Sequence, residues 1–210
     1  MTAPVAADTP EIAALRIKAN AGDATAQFNL GFAYANGQGV PQDFAQAAAW
    51  TGKAAERGYA IAQYRLGVMY DSGQGVPQDD AQAVAWYRKA AEQGNAGAQL
   101  NLGFAYANGR SVPQDYAQAV TWSRKAAEQG DALAQWSLGL MYRNGQGVPQ
   151  DDVESHKWHN LAASCGSAKN QQRYAEARDA VAQLMTPAQL AEAQQRASAW
   201  LAAFEKRGGK

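Results

Sequence analysis

Apolar residues recur along the chain at helical spacing inside a longer repeat of 36 residues. Between Asp23 and Asn36, apolar side chains at Ala26, Leu30 and Tyr34 follow at steps of four, so they share one side of a helix. A second helical segment, centred on Trp50, follows a short loop. The pattern predicts two helices in each repeat, called helix A and helix B in chain order.

The pattern occurs in four consecutive repeats without gaps. A tryptophan recurs in phase in helix B, at Trp50, Trp86, Trp122 and Trp158. Self-similarity at such a period is typical of helical repeat proteins. The predicted organisation is a flexible N-terminus (1–9), an N-terminal capping helix (10–22), four repeats (23–58, 59–94, 95–130 and 131–166), C-terminal capping helices (167–207) and a tail (208–210).

Helices A and B are joined by Gly-Gln-Gly-Val-Pro-Gln-Asp, or once by Gly-Arg-Ser-Val-Pro-Gln-Asp. Gly37 is predicted to end helix A in the left-handed conformation, and Pro41 prevents the helix from continuing. Asp43 is predicted to N-cap helix B, with Gln46 three residues later. No Gly-Lys-Ser/Thr and no strand accompany the loop, which disfavours phosphate binding. Ser111 replaces the second glycine once, and must either adopt its backbone angle or turn differently.

Composition excludes several classes of function. Nineteen basic residues balance nineteen acidic ones, so no net charge favours nucleic acid or an anionic membrane. Cys165 is the single cysteine, which excludes an internal disulfide framework, and no apolar run approaches the ~20 residues of a membrane span. The N-terminal sequence lacks the features of a signal peptide but also fits the start of a mature exported chain. If the sequence is that of a mature exported chain, we expect a periplasmic or secreted location, and otherwise a cytoplasmic one.

These motifs resemble the Sel-one-like repeat (SLR) family, a branch of the TPR-like helical repeat proteins. The pattern Ala-x-x-x-Leu-Gly-x-x-Tyr, Gly-x-Gly-Val-x-x-Asp and Ala-x-x-Trp, with a closing Ala-Ala and Gly, runs through residues 23–166 apart from the serine noted above. The fourth repeat departs from the other three at Ser155, His156, His159 and Asn160. The resemblance implies an all-α fold, a right-handed α/α superhelix (TPR-like solenoid) of four 36-residue repeats with helical caps at both ends.

The resemblance also implies a non-enzymatic scaffold or adaptor for protein–protein interaction, often in bacterial signalling, envelope or host-interaction systems. Some cysteine-rich relatives are linked to β-lactam or cell-wall binding, and the paired cysteines of those relatives are missing here. Two alternatives stay open. One is a cell-wall or β-lactam-related enzyme or binder, and the other is a self-assembling structural element.

The two ends are expected to cap the array, because a stack of repeats needs terminal helices with one wetted face. The segment from Pro10 to Gly22 resembles a lone helix B. A last helix starts at Thr186 and Pro187, with an apolar stripe that ends at Phe204. An amphipathic terminal helix can also serve as a handle for a partner or a membrane, but its polar face holds only a few basic residues, which favours a cap.

In TPR-like arrays helix A lines the inner, concave surface. With Leu30 at the centre of the buried face, residues at positions 28, 29 and 32 and their equivalents point away from it. Large apolar groups there suggest a surface that binds a peptide, with Asn and Arg holding its backbone or a carboxylate. The predicted groove comprises Phe28, Asn29, Phe32, Tyr64, Arg65, Val68, Leu100, Asn101, Phe104, Trp136, Ser137 and Leu140. The alternative is that the position-28 series packs between repeats and belongs to the core.

Catalysis and cofactor binding find little support in the sequence. His156 and His159 are three residues apart and Cys165 follows, but no fourth metal ligand is near, so a packing or solvated pair is favoured over zinc. No Ser/His/Asp or Cys/His set has a recognisable spacing. The sequence thus predicts no catalytic residues, no cofactor and no metal. It predicts a protein or peptide partner of unknown identity or self-association, no nucleic acid and no membrane span.

Overall fold

The computed structural model describes residues 9–209, which form helices joined by short loops without any strand. The helices are α1 (Pro10–Asn20), α2 (Ala24–Asn36), α3 (Phe44–Glu56), α4 (Ala60–Ser72), α5 (Asp80–Glu92), α6 (Ala96–Asn108), α7 (Tyr116–Glu128), α8 (Ala132–Asn144), α9 (Asp152–Cys165), α10 (Ala168–Ala182) and α11 (Pro187–Lys206). Helix A of the four repeats is α2, α4, α6 and α8, and helix B is α3, α5, α7 and α9. The chain divides into Met1–Ala98 and Gln99–Lys210, called unit 1 and unit 2. The predicted all-α fold of tandem helix pairs is confirmed.

Helices stand at both ends of the described chain, where capping helices were predicted. The predicted flexible residues 1–8 and Lys210 lie outside the described residues. Thr9, which the sequence analysis placed in the flexible segment, is the N-cap of α1: its hydroxyl accepts a hydrogen bond from the Ile12 amide at 3.4 Å. The Thr9 amide also donates to the carbonyl oxygen of Gly39 at 3.5 Å. The start of α1 is therefore bound to the loop of the first repeat.

The loops between helices A and B have the predicted cap geometry. In each loop an aspartate carboxylate accepts a bond of 2.9–3.0 Å from the amide three residues later, at Asp43, Asp79, Asp115 and Asp151. Gly37, Gly73 and Gly145 end their helices with φ of 67°, 70° and 65°. Ser111 adopts the left-handed angle of the glycine that it replaces, with φ 56°. The third loop therefore keeps its shape at the expense of backbone strain.

The second glycine of the loop has a role that the sequence analysis did not identify. A Cβ built on Gly75 would overlap the carbonyl oxygen of Phe44, at the start of the preceding helix B. A Cβ on Gly147 would overlap the carbonyl oxygen of Tyr116 in the same way. Both glycines also have positive φ, of 78° and 73°. Each of these loops therefore lies directly against the preceding repeat, which leaves no room for a side chain.

A buried glutamine near the start of helix A joins three of the repeats to the helix before them. In unit 1, the Gln63 side-chain amide donates to the carbonyl oxygen of Ala55, near the end of α3, at 3.1 Å. In unit 2, Gln135 makes the equivalent bond at 3.2 Å. Gln27 makes it to the carbonyl oxygen of Ala19 in α1, at 3.0 Å. The first repeat therefore bonds to α1 as a later repeat bonds to a helix B.

The core is made of one leucine from each helix A and pairs of alanines near the end of each helix B. Leu30 and Leu138 have no exposed surface. The buried alanine pairs are Ala54 and Ala55, Ala90 and Ala91, Ala126 and Ala127, and Ala162 and Ala163. Alanine lets helices approach closely because it has no side chain beyond Cβ. Among residues 9–209, none of the helices is both long and apolar enough for a membrane crossing.

Candidate partner-binding surface

The position-28 series of the predicted groove makes ring contacts inside unit 1. Phe28 is half-buried and meets Tyr59 edge-on, with the ring centroids 5.4 Å apart. Tyr64 is also half-buried, and its ring lies 6.1 Å from that of Tyr87. Both side chains thus serve packing on one side and keep part of their surface open. The predicted alternative, packing between repeats, describes part of the role of Phe28, because Tyr59 belongs to the second repeat, whereas Tyr87 lies in the same repeat as Tyr64.

In unit 2 the same series is more deeply enclosed. Leu100 is only 7% exposed and belongs to a core cluster with Val120 and Leu138, so its assignment to an open groove is wrong. Trp136 stays half-buried, with its ring 6.1 Å from the ring of Tyr174 and the Arg173 guanidinium 4.0 Å from its centroid. The helical wheel places this position on the side away from Leu30, but packing from neighbouring helices decides whether its side chain is covered.

The polar series divides in the same way between the two units. Asn29 and Arg65 are exposed in unit 1. In unit 2, Asn101 is half-buried, and Ser137 is only 6% exposed, so its assignment as a partner contact is also wrong. Packing within unit 2 covers this short side chain. The unit 1 members of this series are the most exposed ones.

The position-32 series is the one in which no side chain is buried. Phe32 is 41% exposed, which is unusual for a phenylalanine, and Val68 is half-buried in the same unit. Phe104 and Leu140 are half-buried in unit 2. Helix A therefore presents apolar side chains on the side away from its leucine, as the wheel predicts.

Unit 1 contains a cavity of about 260 Å³ at this surface. Four of the predicted residues line it, namely Phe28, Phe32, Arg65 and Val68. The wall is completed by α3, through Phe44, Ala47 and Thr51, and by Met69 of α4. The sequence analysis missed the α3 residues, because it searched helix A alone for the groove.

Thr51 stands opposite the glycine of the Leu-Gly pair in helix A. A Cβ on Gly31 would lie 2.6 Å from the Thr51 hydroxyl oxygen, so the two helices meet closely here. The equivalent of Thr51 in the second repeat is Tyr87, whose ring lies in the same way over Gly67 and whose hydroxyl donates to Asp71 at 3.1 Å. The residue at this position therefore determines how much space remains beside the glycine. The sequence held one indication of this role: the residue differs in every repeat, as Thr51, Tyr87, Ser123 and His159, although the glycine of helix A is the same in all four.

Arg65 gives the cavity its charge. It is the one charged residue among those that line the cavity, and its side chain is exposed. It forms no ion pair or hydrogen bond with side chains of residues 9–209. Asn36, also in the lining, donates its side-chain amide to the Phe32 carbonyl oxygen at 2.8 Å. The cavity thus has a mostly apolar lining, with the polar side chains of Asn36, Thr51 and Gln74 and one cationic group.

The histidine pair in α9 is part of the packing of unit 2. His159 has no exposed surface and lies on Gly139, where a Cβ would be 2.7 Å from its ring. Burial, followed by the nearby His156 and Arg143, lowers the pKa of His159 to about 4, so its ring is neutral at pH 7. Partial burial raises the pKa of the Cys165 thiol, which disfavours the reactive thiolate. Among residues 9–209, no three His, Cys, Asp or Glu side chains are close enough together to hold a metal ion.

The repeats match a family model described as Sel1 repeat, over residues 24–59, 60–95, 96–131 and 132–167. These segments begin one residue later than those predicted from the glycine spacing. Sel1 repeats generally serve as scaffolds for protein–protein interaction. A search among curated proteins gave no significant match to the chain.

Two solved structures are similar to this chain at high sequence identity. One is a protective antigen of uropathogenic Escherichia coli with an SLR fold, 45% identical with a TM-score of 0.73, over 80% of this chain and 36% of the antigen. The other is a Sel1 repeat protein from Oxalobacter formigenes, 35% identical with a TM-score of 0.72, over 79% of this chain and 68% of that protein. This chain therefore spans only about a third of the antigen's length. On the four matched repeats and these two relatives, the chain belongs to the Sel1 repeat family.

Proposed function

We propose that this chain is a non-enzymatic scaffold or adaptor that binds a segment of another protein along the faces of its A helices. The observation that carries the proposal is the apolar cavity in unit 1, which four of the predicted groove residues line. Aromatic and arginine side chains are the usual anchors of protein interfaces, and this cavity brings Phe28, Phe32 and Arg65 together. An exposed phenylalanine beside an apolar cavity is typical of an interaction site.

Within unit 2, further contacts would come from side chains of the same two series that keep part of their surface open. These are Phe104, Trp136 and Leu140, all half-buried, with Asn101 as a polar neighbour. The proposed surface omits the two side chains that packing covers. Its polar members in unit 1 are Asn29 and Arg65, which can hold the backbone or a carboxylate of the bound segment.

The test is affinity capture followed by a direct titration. The full chain, a Phe32→Ala/Val68→Ala double variant and a Leu184→Ala control are used as baits, and retained proteins are quantified by mass spectrometry. Leu184 is suitable as a control because it is 60% exposed and lies after α10, outside the proposed surface. Each captured protein is then truncated to its binding segment and titrated by calorimetry.

We expect the double variant to lose partners that the Leu184→Ala control retains, and to bind the isolated segment at least tenfold more weakly. Equal retention by all three baits would contradict the proposed surface. Light scattering of the free chain tests the self-assembly alternative. A mass that rises with concentration to multiples of the 22.4 kDa chain, and that the double variant reduces to one chain, would assign the surface to self-association instead.

A further inference from the structure

We propose that the cavity in unit 1 is a specificity pocket for one large apolar side chain of a partner peptide, next to a residue that carries a carboxylate. The inference rests on the proposed scaffold function and specifies what the bound segment must contain. The carboxylate is that of an aspartate or a glutamate beside the inserted residue. Size, lining and charge each support one part of this description.

The size of the cavity fits a single side chain. Pockets for drug-sized ligands and cofactors measure about 300–1,000 Å³. The unit 1 cavity, at about 260 Å³, falls below that range but still has room for several waters, each of which takes about 30 Å³ in the liquid. A single leucine, methionine or phenylalanine side chain could displace those waters from an apolar wall, which is favourable.

The lining selects for an apolar occupant. Three phenylalanines, Phe28, Phe32 and Phe44, come from both helices of the first repeat, and Met69 adds a flexible side chain from α4. Aromatic rings give a large apolar contact area, and methionine adapts to the shape of an occupant. Because Phe32 is 41% exposed, burying it against a bound side chain would remove apolar surface from water.

Thr51 keeps the pocket open. The second repeat has a tyrosine at this position, and the ring of that residue, Tyr87, is buried over Gly67. A tyrosine in place of Thr51 would lie over Gly31 in the same way and extend into the cavity that Thr51 now lines. The chain therefore supplies its own example of how this space is filled without loss of the fold.

Arg65 supplies the preference for an anionic neighbour. It is exposed, and it is the one charged group in the lining. A guanidinium that has no ion pair among residues 9–209 can form a two-pronged bond with a carboxylate. A lysine or arginine beside the inserted side chain would be repelled, so the pocket discriminates by charge as well as by apolar character.

The test uses 3-phenylpropionate, which carries one phenyl ring and one carboxylate, and its neutral amide, 3-phenylpropanamide. Both are titrated into the full ¹⁵N,¹³C-labelled chain and followed by NMR. We expect saturable shifts of the Phe32 and Val68 amides and intermolecular NOEs from the phenyl ring to the Val68 methyl groups. The amide should bind about three- to fivefold more weakly, as expected for loss of an exposed ion pair.

Three variants locate the two recognition elements. Thr51→Tyr should weaken binding of 3-phenylpropionate at least tenfold, whereas Thr51→Ser, which introduces the residue of the third repeat, should keep it within about twofold. Arg65→Gln should weaken the acid about three- to fivefold and leave the neutral amide unchanged. Circular dichroism and thermal unfolding check that each variant is folded. If Thr51→Tyr does not fold, the NOEs to Val68 and the Arg65→Gln comparison still decide the question.

Absence of saturable shifts at Phe32 and Val68, or equal affinity of the acid and the amide, would overturn the pocket. Unchanged binding by a folded Thr51→Tyr variant would do the same. These failures are distinct from failure of the scaffold function. If partner segments bind the chain and Thr51→Tyr binds them as well as the wild type does, the chain is a scaffold without this pocket. Binding that Thr51→Tyr removes, for segments with an apolar residue beside Asp or Glu, supports both.

Discussion

Acidification should destabilise unit 2 through His159. Its ring has no exposed surface, and neither ring nitrogen has a hydrogen-bond partner among the described residues. The folded state therefore holds the imidazole neutral, with a pKa lowered from 6.5 to about 4 by burial first and then by His156 and Arg143. Protonation would place a positive charge on a buried ring whose N–H groups have no acceptor. Between about pH 4 and pH 6.5 the folded chain therefore leaves His159 neutral, whereas the unfolded chain protonates it.

The sign and size of the effect follow from that difference. A pKa lowered in the folded state means that this contribution is complete above the unfolded value of 6.5 and is lost as the pH falls towards about 4. Each pKa unit corresponds to about 1.4 kcal/mol, so the His159 contribution between pH 7 and pH 4 is about 3 kcal/mol. That is a large part of the ~5–15 kcal/mol that stabilises a typical domain.

The assay is urea unfolding followed by circular dichroism at several pH values between 7 and 4. The control is His159→Ser, because the third repeat has a fully buried serine, Ser123, at the equivalent position. The variant should be less stable at pH 7 but should lose about 3 kcal/mol less than the wild type on acidification. Carboxylates titrate in both proteins, so their effect on the pH dependence of stability cancels when the two are compared. Equal pH slopes, or an NMR titration that gives the folded His159 a pKa of 6 or higher, would refute the reasoning.

Four further substitutions test the loops and the docking of α11, each by urea unfolding at pH 7 against the wild type. Gly145→Ala should lower the free energy of unfolding by about 1 kcal/mol through its positive φ alone, since the nearest atom to an added Cβ is 3.6 Å away. Gly147→Ala should lower it at least twice as much, because its Cβ would overlap the main chain of Tyr116. Equal losses of stability in the two variants would contradict the close approach at Gly147. Ser111→Gly should stabilise the chain by about 1 kcal/mol by relieving its left-handed angle, and a loss of stability would show that the serine side chain contributes more than the strain. Arg196→Gln should cost about 1 kcal/mol at pH 7, because Arg196 binds Glu154 at 2.7 Å. Burial raises the pKa of Glu154, but its bonds to basic groups outweigh this and lower it, so the cost should vanish as the carboxylate protonates in acid.

The repeats and the caps of their helices could be predicted from the sequence because the signals are local. Asp43 caps the helix that starts at the next residue, and Gly37 ends the helix before it. Each acts on backbone groups within a few positions, so a pattern of residue types is enough to place it. Pro10 was identified as the first helical residue, but Thr9 was missed as its cap because it was placed in the flexible segment.

The candidate site was predicted only in part because its geometry depends on more than one helix. A helical wheel gives the direction of Phe32 correctly, and the structure leaves that side chain open. The same wheel cannot show that neighbouring helices enclose Leu100 and cover Ser137. It also cannot show that Thr51, on the other helix of the repeat, faces Gly31 and leaves a cavity. Such contacts join residues about 20 positions apart, and only packing reveals them.

The first repeat packs on α1 through side-chain hydrogen bonds that recur between later helices of the chain. A main-chain carbonyl of α1 accepts a hydrogen bond from the Gln27 side chain. In addition, Arg16 of α1 donates a hydrogen bond to the Tyr34 hydroxyl at 3.0 Å, and Arg124 of α7 makes the equivalent bond to Tyr142 at 2.7 Å. A starting helix that presents the groups of an internal helix B can accept any repeat that carries the glutamine and the tyrosine. Duplication or deletion of a 36-residue cassette would therefore create no junction of a new kind, which gives a simple route by which relatives of different lengths could arise from one ancestral array.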